Sequence, residues 1–191
     1  LTIRVYIWKS AQLPGTTKHI YATDGQKMID FGALGRIKQL TNRADIRGAT
    51  YILVSTKDPK SGRDLRNKFF FCNPYYLLFF EEELVTQVEA HLQDPVSPKE
   101  RALIGISFGG MNAAYFAASA EPLFHHYALL SPITYPCRSL PDYISLSATR
   151  NQRIFLSTGK EDAEANVRKL KNLFSNKDYE VQVLKTKGRH D

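Results

Sequence analysis

Gly105-Ile106-Ser107-Phe108-Gly109-Gly110 is the stretch on which the reading of this chain turns. It follows the apolar run Ala102-Leu103-Ile104 and precedes a small-residue stretch of helical character, Met111-Asn112-Ala113-Ala114-Tyr115-Phe116-Ala117-Ala118. Strand, sharp turn, helix is the context in which G-x-S-x-G presents a serine hydroxyl above a sheet as a nucleophile. The glycines have a steric reason. So tight a turn leaves no room for flanking side chains, and glycine tolerates close approach and unusual φ/ψ. A helix starting just after Ser107 directs free N–H groups and the positive end of its dipole toward the hydroxyl, so negative charge developing there is stabilised. A glycine-rich turn of this kind can bind phosphate instead. The nucleophile reading therefore needs a base and an acid from the rest of the chain.

Working outward, short apolar runs alternate with helical patterns. That predicts an α/β fold with a mostly parallel central sheet and helices on both faces. Strands are expected over residues 2–8, 18–23, 49–55, 102–106, 127–131, 153–158 and 180–185, and helices over 31–40, 76–93, 109–120, 142–148 and 163–175. The 76–93 segment carries Leu77, Phe80, Leu84, Val88 and Leu92 at helical spacing, with Glu81, Glu82 and Glu83 on its solvated side. Residues 56–75 are polar at first and then aromatic, a loop long enough to be functional or mobile.

At 191 residues the chain reads as a single domain over 1–191. No apolar run approaches the roughly 20 residues of a membrane span. The opening residues alternate like a strand and show no signal peptide. The chain has no initiator Met and stops at Asp191, which reads as a sequence cut at both ends. A soluble protein of the cytoplasm or periplasm is expected, the compartment staying open. The net charge is +7, with Arg36, Lys38, Arg43, Arg47, Lys57, Lys60, Arg63, Arg66 and Lys68 crowding the first third. These residues read as a solvated basic surface or as a funnel for an anionic substrate. RNP, zinc and helix-turn-helix signatures are missing, so nucleic acid is not an expected partner. Cys72 and Cys137 fit no metal or CxxC spacing and read as buried free thiols, with pairing in an oxidising compartment the alternative. Neither a metal nor an organic cofactor is expected.

Of the five histidines, His19, His91, His125 and His126 read as surface or satisfied side chains. His190 differs: it follows the apolar strand Val181-Gln182-Val183-Leu184 and a short glycine-containing loop. Ligands of open α/β sheets bind beyond the carboxyl ends of strands, where Ser107 and His190 would both emerge. The acid falls between them if the order is serine, acid, histidine. The strand at 153–158 runs into Gly159-Lys160-Glu161-Asp162, and Asp162 is favoured, with Glu161 its competitor. An N-cap on the helix beginning at Ala163 is the structural alternative for Asp162. In this scheme His190 takes the proton from Ser107 and returns it to the leaving group, while Asp162 orients the imidazole. The backbone N–H of Phe108 is one oxyanion donor. The Asp24-Gly25 turn supplies the second through the N–H of Gln26.

The ordered set of motifs resembles the Putative esterase family of α/β-hydrolases, which includes enterochelin esterases, S-formylglutathione hydrolase (esterase D), feruloyl esterases and mycolyltransferases. Val5-Tyr6-Ile7, the Ile20 to Gln26 stretch, Phe79-Phe80-Glu81-Glu82-Glu83-Leu84, the Gly105 to Gly110 turn, Leu130-Ser131-Pro132, Gly159 to Asp162 and Gly188 to Asp191 each match a family motif. The chain is shorter than the family pattern and lacks the helix after the histidine. The resemblance implies a serine hydrolase cleaving a carboxylic ester through an acyl-enzyme. A small-molecule ester is the implied substrate, anionic if the siderophore branch is the guide. Phe69, Phe70, Phe71, Tyr75 and Tyr76 in or beside the 56–75 loop and Phe108 after the serine point to an aromatic or catechol-like acyl or alcohol part, a core cluster being the alternative for those aromatics. An acyltransferase, or a non-catalytic binding protein on a degenerate hydrolase fold, is the alternative.

Overall fold

The computed structural model describes residues 2–119, 122–148, 151–160 and 162–188. The strands are β1 (Val5–Lys9), β2 (Pro14–Ala22), β3 (Gly48–Val54), β4 (Arg101–Ile106), β5 (His126–Leu130), β6 (Arg153–Gly159) and β7 (Glu180–Thr186). They form one sheet in the order β1-β3-β2-β4-β5-β6-β7. β1 runs antiparallel to β3, and the other neighbouring pairs are parallel. The carboxyl ends of β2, β4, β5, β6 and β7 therefore share one edge.

The chain leaves β2 toward β3 and leaves β4 toward β5, in opposite directions across the sheet. The crevice between those loops is a topological switch point, the place where open α/β sheets take ligands. α1 (Gly25–Asp30) and α2 (Ala33–Asn42) go to one face, where Met28, Ile29, Leu34 and Ile37 pack on Ala22, Tyr51 and Leu53. α3 (Arg66–Phe70), α4 (Pro74–Leu78), a π-helical segment (Phe79–Leu84), α5 (Val85–Leu92), α6 (Phe108–Ala118), α7 (Leu140–Leu146) and α8 (Glu164–Ser175) contribute to the larger core on the other face. Both faces thus carry helices, as expected. The face with α1 and α2 is covered mainly over β1, β3 and β2. Farther along it, Ile20, Ala102, Ile104, Ala128 and Phe155 line an open hollow.

Several element boundaries differ from the expectation. The helix expected at 31–40 is α2, at Ala33–Asn42, and a further short helix, α1, precedes it, separated from it at Gly32, which takes φ 72°. The 76–93 helix is interrupted by the π segment, yet Leu77, Phe80, Leu84 and Val88 are all buried. The long loop at 56–75 contains α3, whose Phe69 and Phe70 enter the core. Among the described residues no helix is long and apolar enough to cross a membrane.

α5 is locked to the amino edge of the sheet by a charged network. His19 is fully buried, its ring nitrogens 3.4 Å from Glu89 Oε1 and 3.4 Å from Asp94 Oδ2. Arg101 grips both oxygens of Glu89, at 2.6 and 2.7 Å, and the Val96 N–H donates to the same carboxylate at 3.2 Å. Burial pushes the Glu89 carboxyl up, but the Arg101 and Val96 hydrogen bonds and the Arg101 charge together outweigh it and hold it below its ordinary value. A depressed carboxyl contributes stability above its unfolded value, about 4.3, and that contribution is lost as pH falls through the folded value. Glu89→Gln is expected to cost about 3 kcal/mol at pH 7, because Arg101 is left buried without its partner. Urea denaturation of both proteins at pH 7 and pH 3 should show the gap narrowing in acid. A constant gap would refute the account.

Candidate active site

Ser107 takes φ 58° and ψ −117° as the N-cap of α6. A non-glycine residue there carries strain of about 1–3 kcal/mol and persists only where its surroundings over-determine it. They do so here. The Ser107 N–H donates to Leu130 O at 2.9 Å, and Ser107 O accepts from Met111 N–H and Ile133 N–H, both at 3.2 Å. The turn closes so tightly that a Cβ on Gly105 would lie 2.0 Å from Gly109 O. A Cβ on Gly109 would lie 2.9 Å from Thr23 Oγ1 and 3.7 Å from Asp24 Cβ, so the loops after β2 and β4 are in contact. The first intrahelical bond of α6 comes from Met111, which leaves the Phe108, Gly109 and Gly110 N–H groups without an intrahelical acceptor.

The loop after β2 starts with the Thr23 N–H donating to Ile104 O at 3.1 Å, which fixes it beside β4. Asp24 is the N-cap of α1, and Met28 N–H to Asp24 O is that helix's first bond. Gln26 sits in the first turn. Its side chain accepts from Tyr6 Oη and donates to Asp30 Oδ1, each at 2.8 Å, so it lies along the outside of α1. The structure thus brings the turn carrying Ser107 and Phe108 beside the segment that leads into Gln26. Asp162 lies beyond the end of β6, at the same edge and half-buried. The N-cap of α8 is Ala163, not Asp162. His190 and Glu161 lie outside the described residues. The last described stretch, through Gly188, leaves β7 at that same edge.

Several features of this edge were missed in the sequence. Asp24 is 1% exposed and pairs with Arg66 of α3 at 2.7 Å; Arg66 had read as basic surface. Burial pushes the Asp24 carboxyl up, with the Arg66 and Lys27 charges opposing. The Phe108 ring packs edge-on against Phe71 at 5.4 Å and Tyr135 at 5.8 Å. Cys72 and Cys137, expected as free thiols, form a disulfide with Cα atoms 5.8 Å apart. The bond joins the two segments carrying Phe71 and Tyr135. Nothing in the spacing of the cysteines announces the pair; it exists because α3 and the 131–139 loop both pack beside Phe108. Among the described residues, no group of three or more His, Cys, Asp or Glu side chains could hold a metal.

A mostly parallel sheet with this strand order, and helices on both faces, is the α/β-hydrolase fold. The sequence profile described as Putative esterase matches residues 2–191, and the chain belongs to that family. No match was found among curated proteins. Among solved structures, the enterobactin esterase FES from Shigella flexneri, in the presence of enterobactin, superposes with a TM-score of 0.79 at 19% identity, covering 99% of this chain and 51% of that one. This chain therefore spans about half the length of that relative. A ferulic acid esterase gives 0.74 at 14% identity, covering 99% of this chain and 91% of its own. The BES protein from Bacillus cereus gives 0.75 at 17%, with 98% and 83% covered. These likenesses show the fold.

The local geometry makes two stability predictions. Gly105→Ala places a Cβ against backbone and should cost about 3 kcal/mol or more in urea denaturation. A wild-type midpoint would contradict the close approach. The disulfide closes a loop with a sequence separation of 65 residues, a constraint on the unfolded chain of about 4 kcal/mol. Cys72→Ser/Cys137→Ser should melt roughly 10 °C lower in calorimetry, and a reductant should lower the wild-type melting point alone.

Proposed function

We propose that this chain is a serine hydrolase of carboxylic esters. The observation that carries the reading is the backbone of Ser107: a non-glycine residue at φ 58° on a strand-to-helix turn, with free helix N–H groups directly after it. Strain of this kind on a strand-to-helix turn is the geometry that presents a serine hydroxyl above a sheet. Ser107 Oγ attacks the ester carbonyl while the His190 imidazole takes its proton. Asp162 holds the imidazole in the tautomer that accepts and stabilises the imidazolium. The tetrahedral oxyanion is held by the N–H groups of Phe108 and Gln26. Collapse of the intermediate expels the alcohol, protonated by His190, and leaves an acyl group on Ser107. Water, deprotonated by His190, then releases the acid.

The aromatic rim favours an ester with an aromatic acyl or alcohol part. Phe71, Phe108 and Tyr135 stand in edge contact beside the turn, and Tyr135 is 72% exposed. That one related enzyme was crystallised in the presence of 2,3-dihydroxy-N-benzoyl-serine is consistent with such a substrate.

A fluorophosphonate probe tests the nucleophile. It should label the wild type at Ser107, and Ser107→Ala should lose both labelling and ester turnover. His190→Ala and Asp162→Asn should each lower kcat by roughly 10³–10⁴-fold while leaving the melting point close to that of the wild type. Should Glu161→Gln impair turnover and Asp162→Asn leave it intact, the acid is Glu161.

A further inference from the structure

We propose that Arg66 is a positioning residue that clamps together the two backbone segments supplying the oxyanion donors, an inference that rests on the hydrolase reading above. Arg66 is the first residue of α3 (Arg66–Phe70), an element that supplies none of the reacting groups. Its guanidinium Nη2 is 2.7 Å from Asp24 Oδ2, with the two side chains only 12% and 1% exposed. Asp24 is the residue from which α1 starts, two positions before Gln26. The same guanidinium sits 5.5 Å from the centroid of Phe108 and 5.7 Å from that of Phe70. Phe108 is the other donor residue. One planar cation therefore touches both sides of the crevice: a carboxylate on the β2 loop and a ring on the β4 turn.

The clamp is itself fixed. Asp64 Oδ1 accepts from the Arg66 N–H at 3.0 Å and from Thr56 Oγ1 at 3.1 Å. Thr56 Oγ1 also lies 3.5 Å from Asp24 Oδ1. Burial works against the Asp24 charge and Arg66 works for it, so without Arg66 the carboxylate has no reason to stay in this dry position. Gly25, the next residue, is packed on the β3 backbone, where a Cβ would lie 2.3 Å from Leu53 C, so a shift of Asp24 is taken up in the short stretch that orients the Gln26 N–H. The spacing between the Gln26 and Phe108 N–H groups is what the clamp preserves. Oxyanion donors act only when held at the position where charge develops, and displacements near 1 Å cost roughly 10²-fold. An arginine does this better than a lysine, since its plane both pairs with a carboxylate and lies over a ring.

The test replaces both charges at once, Arg66→Gln/Asp24→Asn, so that neither is left buried alone. Turnover of a p-nitrophenyl ester should fall roughly 10- to 100-fold in kcat with KM within about twofold. The inhibition constant of a trifluoromethyl ketone, whose hemiketal oxyanion mimics the intermediate, should rise by the same factor. Arg66→Lys, which keeps the charge but not the planar stacking, should restore part of kcat. A folded double variant with wild-type kcat, or with lowered kcat but unchanged ketone affinity, overturns the clamp. If the double variant does not fold, Phe108→Leu removes the ring without touching a charge. It should show the same parallel loss of kcat and ketone affinity, and wild-type values there overturn the proposal equally. The fluorophosphonate separates the two readings. An unlabelled wild type brings down the hydrolase and the clamp with it, whereas a labelled wild type beside a fully active double variant brings down the clamp alone.

Discussion

β4 becomes α6 across a single residue, and the geometry of that passage governs the rest of the site. The strand and the helix meet at backbone contact, where Gly105 faces the carbonyl of Gly109 with no room for a side chain. Ser107 is the link between them and must take whatever dihedrals remain. Its strain of about 1–3 kcal/mol is offset by what the close approach permits. α6 settles into the centre of the core, with every residue from Gly109 to Ala118 buried. Small residues, Ala113, Ala114, Ala117 and Ala118, let the helix axis come near β4 and β5. The strained serine and the buried helix are thus one solution to one packing problem.

Topology then decides what stands opposite that turn. β2 and β4 are neighbours, but their connections depart to opposite faces, so no covering helix fills the crevice between them. The loop after β2 is held there by Thr23 on Ile104 and by contact with Gly109. Two helices begin on either side, α1 and α6, and both turn unbonded first-turn N–H groups toward the same edge. Parallel strands β5, β6 and β7 deliver their following loops to that edge in order. Ser107, Asp162 and the described residues that follow β7 therefore all leave the sheet at one edge, which needs no special pairing beyond the parallel register.

How much of this the sequence disclosed follows from how local each signal is. The turn at Ser107 is encoded in six consecutive residues and its flanks, and the strand pattern is encoded in short apolar runs, so both were legible. α3 was not, because five residues with Arg66, Asn67 and Lys68 in front look like surface loop until Phe69 and Phe70 are seen to be buried. The π segment was not, because one extra residue per turn leaves the apolar stripe almost unchanged over a single turn. The Cys72–Cys137 bond was misread because pairing is a statement about spatial neighbours 65 positions apart. Arg66 was misread for a similar reason: in a basic stretch it looks like its neighbours, and only a buried Asp24 distinguishes it. His190 and Glu161 lie outside the described residues, so their part in the site stands on the sequence.

The segment between β3 and β4 shows why such tertiary signals are worth having. Its apolar side chains, Phe69, Phe70, Leu77, Phe80, Leu84 and Val88, pack on β2 and α6 without any directional preference. A purely apolar contact of this kind would allow the segment to slide. Three directional ties prevent it. Arg66 meets Asp24 at the carboxyl edge, Glu89 meets Arg101 and His19 at the amino edge, and Cys72 is bonded to Cys137 between them in sequence. Buried ion pairs contribute little net stability compared with apolar replacements, so two such pairs bracketing one strand are poorly explained as stabilisers. A directional contact can fix register where an apolar one does not. Glu89 ties the last turn of α5 to the amino edge and Arg66 ties the first residue of α3 to the carboxyl edge, on either side of the stretch that brings Phe71 to the ring of Phe108.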